Sequence, residues 1–309
     1  MTRRKAELLL AGIILARSTS YLFAKIGLEN MGIFNLLGLR FGLAFLLLAC
    51  IFRRPLMRCQ AKTLVRGALL GSSFFAVMTA ELTGLRTTST STTSFLENTA
   101  IVFVPLFEAL LGRRFPEMRI FVNTIIALLG VALLTLQTSL SLSSGELFCI
   151  LAAVLYALSI ILTDRLSRKD DPLMLGIIQI GTMGILGVVA ALIFETPRLP
   201  SGGVEWGVIA VLTVVCTGFG FTLQPVAQRY TTSERAGLYC ALNPVFAAFL
   251  GTFFLNEHLG FRGIIGSMFV LSAVVLSQHS RKSLQTIEKG RDSPEAAELL
   301  CEGNRLRQP

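Results

Sequence analysis

Residues 79–136, TAELTGLRTTSTSTTSFLENTAIVFVPLFEALLGRRFPEMRIFVNTIIALLGVALLTL, lie without a gap on residues 222–279, TLQPVAQRYTTSERAGLYCALNPVFAAFLGTFFLNEHLGFRGIIGSMFVLSAVVLSQH, when the sequence is shifted by 143. Thr79 meets Thr222, Arg86 meets Arg229, Val102 and Phe103 meet Val245 and Phe246, and Arg119 meets Arg262. A shift of 139 likewise lays Ala6, Glu7 and Leu8 on Gly145, Glu146 and Leu147. Identities are few, and the register of loops and basic residues carries the match.

Around this repeat the chain is apolar throughout. Of its 309 residues 53% are hydrophobic and 15% charged, with a mean hydropathy of +0.67, against roughly 25% charged in soluble domains. Runs near 20 residues recur, each long enough to cross a hydrocarbon core about 30 Å thick at about 1.5 Å per residue. The spans expected are 8–27, 33–52, 67–85, 91–111, 119–137, 145–163, 173–194, 205–227, 234–255 and 261–279. The fold class is therefore an all-α integral membrane protein of ten transmembrane helices. Residues 1–137 form one five-helix repeat and 145–279 the second, and the charged stretch 280–309 is expected as a disordered cytoplasmic tail. Five spans per copy is an odd number, which turns the second copy upside down in the membrane. Inverted repeats of this kind are a feature of carriers, with the substrate site between the halves near the midplane.

The start, MTRRKAELLLAGIILA, has the basic and apolar regions of a secretory signal. The apolar run continues through Tyr21, Leu22 and Phe23, so this segment is expected to stay as the first span. The six cysteines show no paired spacing, which argues against a disulfide framework, a metal centre or any cofactor bound through them.

The net charge of +9 follows the loops and does not gather into a nucleic-acid patch. Arg3, Arg4, Lys5, Arg53, Arg54, Arg58, Lys62, Arg66, Arg113, Arg114, Arg119, Arg165, Arg168, Lys169, Arg229, Arg235, Arg281 and Lys282 fall on one side of the expected membrane. Only Lys25, Arg86, Arg198 and Arg262 fall on the other. By the positive-inside rule both termini are cytoplasmic, and the even span count agrees. The single Trp206 then sits at the outer end of the eighth span.

The motif FAKIG at 23–27 followed by Leu39-Arg40-Phe41, the passage 84–115, and the passage 227–276 with Asn243-Pro244 and Leu-x-Glu at 255–257 together resemble the EamA-type family of the drug/metabolite transporter superfamily. The resemblance covers nearly all of residues 8–279. It implies a ten-helix carrier of the cytoplasmic membrane of a bacterium, not an enzyme, that exports amino acids or related metabolites. Ala16-Arg17-Ser18 in the first span and Glu97 in the fourth depart from the residue types usual there.

Ionisable side chains at the bilayer centre cost about 2.5–3.5 kcal/mol each on insertion scales, so those present should face a cavity or a partner. Arg17, Arg40, Glu81, Glu97 and Glu108 lie well inside spans. Arg40 and Glu97 fall at a shared depth where they can meet. On the fourth span Ser94, Glu97, Asn98, Ile101, Pro105 and Glu108 share one helical stripe. Thr217, Phe221, Gln224 and Gln228 form a stripe on the eighth span, and Tyr239 and Asn243 one on the ninth. Under the repeat Gln224 takes the place of Glu81, and Cys240 that of Glu97.

Two readings follow. In one, the arginines and glutamates are structural ion pairs. In the other, Arg17, Arg40, Glu81, Glu97, Asn98, Gln224, Tyr239 and Asn243 line a central substrate site. There an arginine holds a substrate carboxylate, and a glutamate takes an ammonium group or a coupling proton. The functional expectation is a monomeric carrier of a small zwitterion by alternating access, with the lipid bilayer as its surroundings. Proton-coupled efflux of cationic drugs is the alternative. Gly38/Gly42, Gly67/Gly71 and the line Gly181, Gly184, Gly187 are expected to permit close helix approach. The spans contain no His-Glu-x-x-His, no paired aspartates and no Ser/His pair at a plausible depth, which leaves intramembrane catalysis without a candidate site.

Overall fold

The computed structural model of the chain describes residues 1–88, 90–112, 118–135, 144–246, 261, 264–266, 268–273 and 276. Among them every regular element is a helix. In chain order these are α1 (Arg3–Asn30), α2 (Ile33–Ile51), the short α3 (Arg53–Met57), α4 (Ala61–Thr87), α5 (Thr90–Asn98), α6 (Ala100–Gly112), α7 (Met118–Thr135), α8 (Ser144–Ser167) and α9 (Pro172–Phe194). Then follow α10 (Gly203–Val211), a π-helical segment (Leu212–Phe221), α11 (Thr222–Gln228) and α12 (Ser233–Cys240). Among the described residues six stretches are long and apolar enough to cross a membrane: Arg4–Asn30, Ile33–Ile51, Ala61–Thr87, Ser144–Ser167, Pro172–Phe194 and Gly203–Gln228. The expected spans 234–255 and 261–279 are described in part, over 234–246 and over 261, 264–266, 268–273 and 276, and the tail 280–309 lies outside the described residues.

Two of the expected spans, the fourth (91–111) and the eighth (205–227), are less regular than their hydropathy suggests. The fourth is broken between Asn98 and Ala100, where Thr99 leaves the helix and its amide and hydroxyl both turn back to the Leu96 carbonyl. The eighth widens into the π segment through its middle, a distortion that recurs at functional sites. Both irregular stretches lie at mid-span, where freed backbone groups are tolerated only if protein or a cavity satisfies them.

Packing is closest along α2 and α9, and glycine explains why. A Cβ added at Gly187 would stand 2.6 Å from the Gly38 backbone nitrogen, and one at Gly184 would stand 2.8 Å from that of Gly42. The two glycine lines expected as separate packing surfaces thus meet each other, backbone on backbone. Gly67 and Gly71 of α4 rest in the same way on Ile178 and on the Gln179 carbonyl of α9. Around this seam α1 lies along the π segment and α11, and α4 and α6 both pack on α8. Polarity is reversed relative to a water-soluble protein. Ile185, Leu192 and Ile193 of α9 are exposed, whereas Arg17, Arg40, Glu81 and Glu97 are buried.

The two ends of the bundle are fastened differently. At the end where α1 begins, Arg235 donates to Glu7 at 2.9 Å, Ser233 donates to Glu108 at 3.0 Å, and Arg165 lies 3.6 Å from Glu108. Arg66 and Thr63 both donate to Asp170. Burial works against the charge on Asp170, but these two hydrogen bonds hold its carboxyl below the usual carboxylate range. Each contact joins a residue before position 137 to one after 145. At the opposite end the fastenings are backbone caps. Lys25 donates to the Leu85 and Thr88 carbonyls at the end of α4, at 2.6 and 3.0 Å. Glu195 accepts from the Phe34 and Asn35 amides at the start of α2, at 3.2 and 2.9 Å. Lys25 thus caps the C-terminal end of α4.

Candidate functional site

The broken fourth span, the π segment and the middles of α1, α2, α4 and α8 converge on a buried polar cluster. Arg17 of α1 donates through Nη1 to the Tyr156 hydroxyl of α8 at 2.7 Å and to Oε1 of Gln224 on α11 at 3.0 Å. Its stem passes over Gly220, where an added Cβ would stand 2.9 Å from Arg17 Cγ. Arg40 of α2, almost fully buried, donates through Nε to Thr217 of the π segment at 2.6 Å and through Nη1 to Ser20 of α1 at 2.9 Å.

Phe221, the last residue of the π segment, stands between the two cations. Its ring centroid is 4.4 Å from the Arg17 guanidinium carbon and 5.9 Å from that of Arg40. Phe41 and Phe74 meet the same ring edge-on at 5.4 and 5.6 Å. A desolvated cation over an aromatic face gains about 2 kcal/mol, which offsets part of the cost of burying each guanidinium.

The carboxylates occupy the other side. Glu97 of α5 accepts a short hydrogen bond from the Tyr21 hydroxyl. Glu81 of α4 is an electrostatic neighbour of Glu97, is buried, and has an oxygen with no partner. Asn98 donates to the Ser94 carbonyl at 2.6 Å and leaves its own side-chain oxygen unpartnered. Tyr239 on α12 is buried beside Cys240, whose sulfur lies 3.4 Å from the Tyr156 hydroxyl. Asn243, just beyond α12, is buried with its oxygen unpartnered.

All eight residues singled out from the sequence are therefore buried, and Arg17 and Gln224 touch directly. Arg40 and Glu97 do not form the ion pair that their depth allowed. Among the described residues no direct ion pair joins Arg17 or Arg40 to Glu81 or Glu97. The positive groups reach toward the π segment, α8 and α11, and the negative groups stay on α4 and α5. Glu108, last on the fourth span's polar stripe, leaves the cluster altogether for the end of the bundle.

Sequence reasoning missed Tyr21, Tyr156 and Ser20. Tyr21 lies one helical turn beyond Arg17 on the same face of α1. Tyr156 is the residue that the shift of 139 lays on Arg17, so the repeat contained the signal for the partner that Arg17 uses.

The sequence profile described as the EamA-like transporter family matches residues 4–136 and again 143–278. A protein of Archaeoglobus fulgidus named "Uncharacterized transporter" is 27% identical over 283 residues, covering 88% of this chain and 97% of its own. A second of the same name from that organism is 25% identical, covering 89% of this chain and 86% of its own. "Uncharacterized transporter YcbK" of Bacillus subtilis is 26% identical over 40% of this chain and 41% of its own. A solved structure described as "Crystal structure of protein" superposes with a TM-score of 0.76 at 16% identity, over 92% of this chain and 99% of that one. At that identity the likeness is one of fold.

Proposed function

The chain belongs to the EamA-like transporter family, and from that premise we propose that it is a secondary carrier of a small zwitterionic metabolite, exporting amino acids or related compounds by alternating access. The observation that carries this reading is the separation of charge in the buried cluster. Arg17 and Arg40 form a positive pole facing the second half of the chain, and Glu81 and Glu97 a negative pole on α4 and α5, with no ion pair closing them on each other. A purely structural role would bring opposite charges together, because an uncompensated buried charge costs several kcal/mol. A zwitterion supplies the complement of both poles at once, its carboxylate to Arg17 or Arg40 and its ammonium to Glu81 or Glu97. Asn98, Gln224, Tyr239 and Asn243 complete the lining.

The carrier works as two inverted five-helix repeats, 1–137 and 145–279, rocking about this site in the cytoplasmic membrane of a bacterium, with both termini cytoplasmic and one chain sufficient. The contacts support this two-fold arrangement. α4 packs on α8 as α1 packs on the π segment, and α2 meets α9, its counterpart, along the glycine seam. Counterflow of labelled amino acids in proteoliposomes tests the reading. Accelerated exchange for at least one zwitterion is expected, and absence of exchange across a broad panel overturns it.

One observation favours a second reading, proton-coupled efflux of a cationic drug. Both arginines are engaged by Tyr156, Gln224, Thr217 and Ser20, whereas Glu81 keeps an unpartnered oxygen. Equilibrium binding of matched zwitterionic and purely cationic ligands separates the two, since only the first reading requires the carboxylate.

A further inference from the structure

We propose that the negative pole is also a binding site for a monovalent metal cation, formed by Glu81, Glu97, Ser94 and Asn98 where α5 ends in mid-span. The inference deepens the carrier reading and rests on it for its purpose. The binding site itself stands on separate observations.

The first is a set of buried oxygens without partners. Glu81 Oε2, Ser94 Oγ and Asn98 Oδ1 make no hydrogen bond, although Glu81 is only 4% exposed and Ser94 and Asn98 are each 2% exposed. Buried polar atoms are normally satisfied, so an unpartnered oxygen on one carboxylate, with two more on the helix that carries the other, calls for a partner. Ser94, Glu97 and Asn98 share a helical face at spacings of three and four, the Asn98 amide is tied to the Ser94 carbonyl, and Glu81 is the electrostatic neighbour of Glu97.

The second is the backbone. α5 stops at Asn98 inside the membrane and directs the negative end of its dipole at this place. Ends of broken helices of this kind coordinate small cations in carriers.

The donor chemistry selects the occupant. All the donors are oxygens, which suits a hard cation and not a soft one. A proton satisfies one oxygen at a time, whereas a metal ion draws several together. Two carboxylates stand near two arginines, so the surroundings are neutral overall. A single positive charge is therefore accommodated more easily than a double one. The same oxygens would receive a substrate ammonium, so cation and substrate displace each other, and inward flow of one drives outward flow of the other.

The test is equilibrium binding of radioactive sodium to the full-length chain in lipid nanodiscs, with choline holding the ionic strength constant. Wild type is expected to bind sodium saturably and to release it when a transported zwitterion is added. Glu81→Gln should abolish binding, and Ser94→Ala should weaken it by about tenfold. If Glu81→Gln does not fold, Ser94→Ala carries the comparison, since it removes only a hydroxyl. No saturable sodium binding by wild type, or unchanged binding by the folded variants, overturns the proposal. Counterflow without sodium binding sinks the cation site alone. Sodium binding without counterflow of any solute sinks the carrier reading and leaves the site in place.

Discussion

At the centre of the molecule the two halves offer opposite chemistry at corresponding positions. The sequence shifts pair Arg17 with Tyr156, Glu81 with Gln224, and Glu97 with Cys240. The first half supplies three ionisable groups and the second three neutral ones. The contacts run across this divide, because Arg17 bonds both Tyr156 and Gln224, and Tyr156 in turn meets Cys240. The first half holds the charge and the second keeps it in place without cancelling it. A symmetric pair of charged triads would leave six ionisable groups at the midplane to be compensated, whereas this division leaves a polarised site at a lower burial cost.

The largest expected effect comes from erasing the charged side. Glu97→Gln keeps the shape and removes the negative charge facing Tyr21, and truncating a buried hydrogen-bonded charge typically costs about 2–5 kcal/mol. Counterflow should fall by at least about thirtyfold, and its pH dependence should flatten. Unchanged transport with an unchanged pH profile would remove Glu97 from the site. On the positive side Arg40→Gln should be comparably severe for substrates that carry a carboxylate and mild for purely cationic ligands, measured by equilibrium binding.

Changes on the neutral side should do less. Tyr156→Phe removes one hydrogen bond to a charged group, worth about 1.5–3 kcal/mol. Thermal unfolding in detergent and substrate affinity should both report the loss, with the Arg17 charge still present. An equal loss from Tyr156→Phe and Arg17→Gln would mean that the two halves contribute alike. In a subtler test, Glu97→Gln combined with Cys240→Glu moves the carboxylate to the corresponding position. A partial return of binding is expected, because Cys240 already lies against Tyr156.

The smallest effect belongs outside the cluster. Asp170 has its carboxyl held low by Arg66 and Thr63, so its contribution is fully present above the ordinary aspartate range and disappears as pH falls through the depressed value. Asp170→Asn should cost about 0.5–1 kcal/mol of stability near neutral pH and nothing in strong acid. Thermal melts at the two pH values check this, and the substitution provides a baseline against which changes in the cluster stand out.

Much of this arrangement was legible in the sequence. Hydropathy marked the six long helices, and the rarity of charge inside spans singled out Arg17, Arg40, Glu81 and Glu97. The glycine spacings also marked the α2–α9 seam, although not that its two lines face each other. What sequence could not supply was direction. Depth placed Arg40 and Glu97 at one level, but the rotation of α2 turns Arg40 toward Thr217 and Ser20 instead. The break at Thr99 and the π segment were hidden as well. Apolar composition is the same in regular and irregular helix, and the hydrogen-bond pattern depends on neighbours contributed from elsewhere in the chain.

The partners of the buried arginines have a consequence for biogenesis. Arg17 waits for Tyr156 and Gln224, 139 and 207 residues later, and Arg40 for Thr217, 177 residues later. Spans enter the bilayer as they are synthesised, so the first two helices are in lipid before most of the groups that hold their guanidinium ions exist, Ser20 of α1 being the exception. Until the π segment and α11 arrive, these helices must stay close to the translocation machinery or to the interface. A chain cut after residue 137 should be degraded as an orphan, not accumulate as a half-sized protein.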